Sequence, residues 1–284
     1  MKYALSIYSL SREVKKGNLD WFGVMDKAKE LGFDGIEFIE SAFTDRKPCL
    51  DTAKKYREYA DKIGIEIANL AVAADVVNDE DAFDKLCKWI DVAEVFGVKT
   101  MRHDITGGIK NRTYQGYSDI VNKAADVCRK VTEYAKSKSI KTMTENHGFF
   151  SQDSDRVELL VNTVANDNFG LLLDMGNFLC ADENPSNAFG RCAPYAFYIH
   201  AKDFLVKSGA DTNPGKSFFM SRGGNYLRGT IVGHGNVPVE ACLLALKKVE
   251  YDGWISIEFE GLEDPCEAVA LGLENLKRYV SEVY

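Results

Sequence analysis

The chain is short of the groups that build several common kinds of site. It has four histidines in 284 residues, too few for a cluster of imidazole-bound metals. Its seven cysteines are odd in number and none forms a Cys-x-x-Cys pair, so free thiols in a reducing compartment are expected, not a disulfide framework. Positive charge is in deficit: 35 lysines and arginines against 43 acidic residues leave a formal charge of −8, which repels nucleic acid and anionic membranes on average. No uncharged apolar run approaches the roughly 20 residues of a membrane span. No small-residue cleavage site follows a long apolar stretch near Met1, so a cytoplasmic location is expected. Neither a phosphate loop nor a Gly-x-Gly-x-x-Gly pattern points to a nucleotide. No Pro- or Ser-rich linker divides the sequence, and one domain over residues 1–284 is expected.

What is present is a rhythm of strand-like and helix-like segments. Apolar runs recur at Tyr3–Tyr8, Gly35–Ile39, Ile65–Val72, Lys99–His103, Lys141–Glu145, Gly170–Asp174, Ala196–His200 and Trp254–Phe259. Several are nearly continuous, as in parallel strands buried on both faces. Between them lie apolar stripes of helical period, such as Ile120, Ala124, Val127, Val131 and Tyr134. Gly32, Gly64 and Gly97 stand between such a stripe and the next run, where a left-handed helix cap fits. Eight such units predict an α/β protein with a closed (β/α)8 barrel and a long Gly-rich loop, Leu205–Pro238, after strand seven. The sixth unit is the least regular, because Asp182–Pro194 is short for a helix.

Runs five to eight each lead into one residue able to bind a divalent ion: Glu145, Asp174, His200 and Glu258. Consecutive barrel strands bring such side chains to one point at their C-terminal ends. Three carboxylates packed together without a cation would repel one another or take up protons, so the pattern predicts one bound divalent metal. A metal on the oxygens of a hydroxy-carbonyl substrate stabilises an enediolate, and a carboxylate beside the carbon moves its proton. Glu145 and Glu258, on opposite sides of a sugar chain, suit epimerisation or aldose–ketose interconversion.

The combination of Gly32-Phe-Asp-Gly-Ile-Glu37, Glu145-Asn-His147-Gly, Asp174-x-Gly-Asn177, His200-x-Lys202-Asp203, Gly233-x-Gly235 and Trp254-Ile-Ser-Ile-Glu258-Phe-Glu-Gly resembles the sugar phosphate isomerase/epimerase family, the xylose-isomerase-like TIM barrels. The resemblance runs along essentially the whole chain. It implies a single-metal site on Glu145, Asp174, His200 and Glu258, with the two glutamates transferring protons as in ketose 3-epimerases. Manganese is the ion it implies first, with magnesium, cobalt and zinc as alternatives, and a homodimer is its family prior. Two positions differ from many relatives: Asn177 stands where a histidine often follows the Asp ligand, and the nearest arginines beyond His200 are Arg222 and Arg228 in the long loop.

The expected activity is therefore a metal-dependent isomerase or epimerase on a carbohydrate or keto-sugar. The alternative on the same scaffold is a dehydratase or lyase acting on a cyclic polyol ketone or a dehydroshikimate-like acid. An apurinic-site endonuclease shares the fold but needs more histidines and a basic face, and a non-catalytic sugar-binding protein is the last reading. His147, Asn177, Lys202, Glu37, His103 and Arg228 are candidate substrate contacts. Each has a structural alternative: Glu37 could buttress its neighbours, Lys202 could sit in an ion pair, and His103 could belong to a pair with Arg102 and Asp104. Trp21, Phe149 and Phe218 are candidate walls beside a sugar ring, and Lys216 and Arg222 are candidates for an anionic group. Glu260 is not counted as a ligand, because strand eight is expected to end before it.

Overall fold

The structure, a computed structural model, describes residues 1–108 and 116–284. Eight parallel strands close into a barrel: β1 (Lys2–Ser6), β2 (Gly35–Ile39), β3 (Glu66–Val72), β4 (Thr100–His103), β5 (Lys141–Glu145), β6 (Phe169–Asp174), β7 (Ala196–Ala201) and β11 (Trp254–Ile257). They follow one another round the barrel in sequence order, and β11 closes on β1 from Lys2↔Trp254 to Leu5↔Ile257. The first and last strands stop two residues earlier than their apolar runs, so Tyr8 and Glu258 lie on the turns that leave the ladder.

Side-chain alternation explains how one run serves two cores. Outward residues such as Leu70, Leu171, Leu173, Ile199, Ile255 and Ile257 pack against the helices in the main apolar core. Burying each such side chain contributes about 1.5–3 kcal/mol. Inward residues Ala4, Ala68, Met143, Leu172 and Tyr198 fill the lower half of the barrel, closed beneath by Phe197 and Trp254. Two register slips reset the alternation. Ala68 is the extra residue between the pairs Ile36↔Ile67 and Glu37↔Asn69. Phe197 is the extra residue between Leu171↔Ala196 and Leu172↔Tyr198. Such bulges re-aim the residues that follow them.

A helix follows each strand: Trp21–Glu30, Leu50–Ile63, Ala82–Phe96, Tyr117–Ser137, Ser154–Val164, Pro185–Cys192, Val239–Lys248 and Pro265–Val283. On Tyr117–Ser137 the predicted stripe is the packed face, with Ile120, Ala124 and Val131 buried. Gly64 and Gly97 end their helices at φ 68° and 70°, the left-handed caps that glycine adopts without strain. The irregular sixth unit still forms a two-turn helix, because Pro185 starts it and the Asn184 side chain accepts from Ser186 N. Among the described residues no helix is long and apolar enough to cross a membrane.

The segment expected as a loop after strand seven is instead a small antiparallel sheet. Its strands β8 (Asp203–Lys207), β9 (Phe219–Met220) and β10 (Tyr226–Thr230) pair in the order β8-β10-β9. The sheet is pinned by Asp203, whose carboxylate accepts from the backbone N–H of Phe204, Gly233, Gly235 and Val237 at 2.8–3.0 Å. A Cβ at residue 235 would lie 2.2 Å from Asp203 Oδ1, which explains that glycine. Arg222 pairs with Asp153 and ties the tip of the sheet to the turn after β5.

Candidate active site

Four of the sequence-selected residues meet at the C-terminal end of the barrel. Glu145 and Asp174 end β5 and β6, His200 is the fifth residue of β7, and Glu258 directly follows β11. Each lies two residues beyond an inward residue of the lower layer or its neighbour (Met143, Leu172, Tyr198, Ser256), so alternation turns all four inward. One ligand atom from each lies within 4.8 Å of the others. His200 Nδ1 is 3.5 Å from Glu258 Oε2, 3.7 Å from Asp174 Oδ2 and 3.9 Å from Glu145 Oε1.

Two atoms of this cluster are orphaned: His200 Nδ1 and Asp174 Oδ2 are buried with no hydrogen-bond partner among the described residues. Buried polar atoms without partners are rare, because lost hydration is not repaid. The remaining atoms of the same side chains are held. Asp174 Oδ1 accepts from Gly176 N and Asn177 N, both at 2.8 Å, while His200 Nε2 lies 2.8 Å from Glu37 Oε1. These two atoms face one another, and the donor set of three carboxylates and an imidazole fits a divalent cation.

Cationic side chains surround the cluster. Arg102 Nη2 lies 2.6 Å from Glu145 Oε2, and Asn177 Nδ2 donates to Glu145 Oε1 at 2.8 Å. Lys202 Nζ lies 2.6 Å from Glu258 Oε2, 3.4 Å from Asp174 Oδ2 and 3.3 Å from Asn177 Oδ1. Burial pushes the Glu145 carboxyl up, and Arg102 offsets only part of that. Burial acts the same way on Glu258, but Lys202 and His200 outweigh it and hold that carboxyl well below its usual range. Burial alone would lower His200, yet Glu37 and Glu258 hold it well above its ordinary value.

Above the cluster opens a cavity of about 230 Å³. Glu145, His200, Glu258 and Lys202 line it together with Tyr8, Glu40, Arg102, Asp104, His147 and Glu260. His147 Nδ1 is 2.9 Å from Asp104 Oδ1, and Arg102 Nη2 is 2.7 Å from the same oxygen. Lys202 and His147 thus stand at the cavity, and Asn177 stands just behind it on Glu145.

Three expected substrate contacts lie elsewhere. Glu37 is fully buried beneath His200, with its second oxygen accepting from Asn69 Nδ2 at 2.9 Å, so it buttresses the site. His103 is fully buried on the helix side of β4, its ring 6.1 Å from that of Phe169 and its Nδ1 3.1 Å from the Asp104 carbonyl. Arg102 and Asp104 take the inward face, and alternation sends the residue between them outward. Burial lowers His103 to about 4. Arg228 sits on β10, its guanidinium carbon 5.7 Å from the Phe218 ring centre and one nitrogen 3.8 Å from Glu263. It is not among the residues lining the cavity.

Trp21, Phe149 and Phe218 do not line the cavity; among the described residues Tyr8 does. Arg222 is engaged by Asp153, and Lys216 is exposed. Glu260 stays outside the four-residue cluster but does line the cavity, 3.9 Å from Lys202. Arg102 and Asp104 were visible in sequence only as neighbours of His103, and Tyr8 and Glu40 carried no signal beyond following a strand.

Residues 25–279 match the sequence profile of the xylose isomerase-like TIM barrel. An inosose dehydratase of Clostridium botulinum (strain Alaska E43 / Type E3) is 23% identical over 199 residues, 66% of this chain and 66% of that protein. The match thus spans just under two thirds of that relative's length. Among solved structures, the IOLI protein with a bound zinc atom superposes with a TM-score of 0.78 at 19% identity, over 100% of this chain and 99% of the other. A D-tagatose 3-epimerase-like protein gives a TM-score of 0.73 at 19% identity, over 100% of this chain and 98% of the other. With the profile matched along most of its length, the chain belongs to the xylose isomerase-like TIM barrel family.

Proposed function

We infer that the protein is a divalent-metal-dependent isomerase or epimerase acting on a carbohydrate or keto-sugar. The observation that carries this reading is the orphaned pair His200 Nδ1 and Asp174 Oδ2, facing Glu145 and Glu258 under an open cavity. Glu145, Asp174, His200 and Glu258 would hold the ion. Bound there, a divalent cation polarises a carbonyl oxygen and makes the adjacent C–H more acidic. The zinc in the IOLI relative supports a metal of this kind; manganese remains our first choice, with magnesium, cobalt and zinc as alternatives.

The chain's own groups supply the rest. Glu258, held ionised by Lys202 and His200, takes the carbon-bound proton. Glu145, across the bound substrate from it, returns a proton to the other face or the neighbouring carbon. Lys202 Nζ offsets negative charge as it develops beside Glu258. His147, oriented by Asp104, and Asn177 hold substrate hydroxyls. A cavity of about 230 Å³ suits a single small polyol.

A second reading, dehydration of a cyclic polyol ketone or a dehydroshikimate-like acid, is favoured by the inosose dehydratase relative and by the His147–Asp104 pair. The first proton abstraction is shared. His147 would then protonate a departing hydroxyl, with the electron pair of the broken C–H bond forming C=C as water leaves.

The test is deuterium incorporation from heavy water into ketoses, keto-acids and inosose-like polyols by the metal-loaded protein, with mass analysis of the product. Exchange at unchanged backbone composition supports the isomerase. Loss of one water supports the dehydratase and removes the first reading. Glu258→Gln with undiminished exchange would overturn the proton-abstraction assignment in either case, and Glu145→Gln with undiminished turnover would overturn the isomerase reading's second glutamate.

A further inference from the structure

We propose that Asn69 and Thr100 are positioning residues of the metal centre: acting through Glu37, they fix the ring of His200 so that Nδ1 faces the ligand cluster. The proposal rests on reading that cluster as a divalent-metal site. Thr100 Oγ1 donates to Asn69 Oδ1 at 2.8 Å, Asn69 Nδ2 donates to Glu37 Oε2 at 2.9 Å, and Glu37 Oε1 accepts from His200 Nε2 at 2.8 Å.

The direction of this chain follows from the groups themselves. An ionised carboxylate only accepts, so the imidazole must carry its proton on Nε2 to meet Glu37. The same carboxylate's other oxygen needs the amide NH2 of Asn69, since the amide oxygen would repel it. That leaves the Asn69 carbonyl to receive the Thr100 hydroxyl. With Nε2–H committed below, Nδ1 is the ring nitrogen directed at Asp174, Glu145 and Glu258.

Placement argues that this is a designed contact and not incidental packing. Asn69 is fully buried in a strand that reads Glu-Ile-Ala-Asn-Leu-Ala-Val, where asparagine is disfavoured and its lost hydration costs free energy. It faces Glu37 because of the bulge at Ala68; without that slip, alternation would turn it to the helices. Thr100 stands at the first position of β4 and lines a cavity at the opposite mouth of the barrel, beside Lys99, Lys141 and Trp254. The chain therefore runs from the lower mouth to the ligand cluster, and its far end can be altered without touching the catalytic wall.

Partners that orient a ligating histidine change metal affinity by about 10–100-fold. The test uses full-length protein stripped of metal and titrated with Co²⁺ against a chelator, following both affinity and the visible absorption bands. Asn69→Leu is expected to weaken Co²⁺ binding by about 10–100-fold and to alter the bands. Thr100→Val, one bond further out and nearly isosteric, is expected to weaken it less, and Thr100→Ser, which keeps the hydroxyl, to restore it. Circular dichroism establishes that each variant is folded. Unchanged affinity and bands in Thr100→Val overturn the proposal, whether or not Asn69→Leu folds. A wild-type protein that binds no Co²⁺ overturns the metal reading itself, and the positioning proposal with it.

Discussion

Arg102 Nη2 lies 2.6 Å from Glu145 Oε2 and 2.7 Å from Asp104 Oδ1, so one guanidinium clamps the end of β5 to the carboxylate that orients His147. With its side chain only 9% exposed, the clamp is nearly dry. Removing one member of a buried charge set leaves the others uncompensated, at about 3–5 kcal/mol. Arg102→Met should lose stability on that order in urea unfolding. Arg102→Lys, which keeps the charge but not the fork, should recover only part of it. Wild-type stability in Arg102→Met would show that the pairing contributes nothing.

Metal removal should act in concert with Lys202. Its ammonium lies 2.6 Å from Glu258 and 3.4 Å from Asp174, where it partly neutralises the cluster. An ion at 1,000 times its Kd adds about 4 kcal/mol of stability. Chelation should therefore lower the melting temperature of the wild type. In Lys202→Met the gap between metal-loaded and chelated protein should widen, because the metal-free form loses its internal cation. An equal gap in both proteins would argue that Lys202 does not compensate the ligands.

His103 should make stability fall as the solution becomes acidic. Burial lowers its pKa from 6.5 to about 4, and its Nε2 is buried without a partner among the described residues, so a proton there would find no acceptor among them. Between these values the unfolded chain holds the proton and the folded chain does not, so stability rises with pH from about 4 to 6.5. The contribution, on the order of 3 kcal/mol, is fully present above pH 6.5 and gone below about 4. Urea unfolding of wild type and His103→Gln across this range measures it as a difference, which cancels the other titrating groups. Parallel pH profiles would refute it.

Asp203→Ala should loosen the residues that close the small sheet. The substitution removes the acceptor for four backbone N–H groups, those of Phe204, Gly233, Gly235 and Val237. Each orphaned buried donor costs about 1–3 kcal/mol unless water reaches it. Amide hydrogen exchange at Gly233, Gly235 and Val237 should quicken by at least about tenfold. Unchanged protection there would mean the turn holds itself.

The sequence by itself determined the eight strand runs and the convergence of Glu145, Asp174, His200 and Glu258. An acidic or imidazole group that ends an otherwise apolar strand cannot stay in the core, and a closed parallel barrel collects such ends in one place. Tertiary structure decided the facing of the remaining residues. In β4, alternation allows either Arg102 and Asp104 or His103 to point inward, and only pairing with β3 and β5 selects the first. In β3, the slip at Ala68 brings Asn69 to Glu37, which a strict alternation read from the first half of that strand would not place there. The sheet formed by β8, β9 and β10 was illegible for a related reason. Its short strands carry little periodic signal, and Asp203 holds them through backbone groups contributed from residues about 30 positions away. Facing depends on register between strands distant in sequence, and a local pattern leaves that register undetermined.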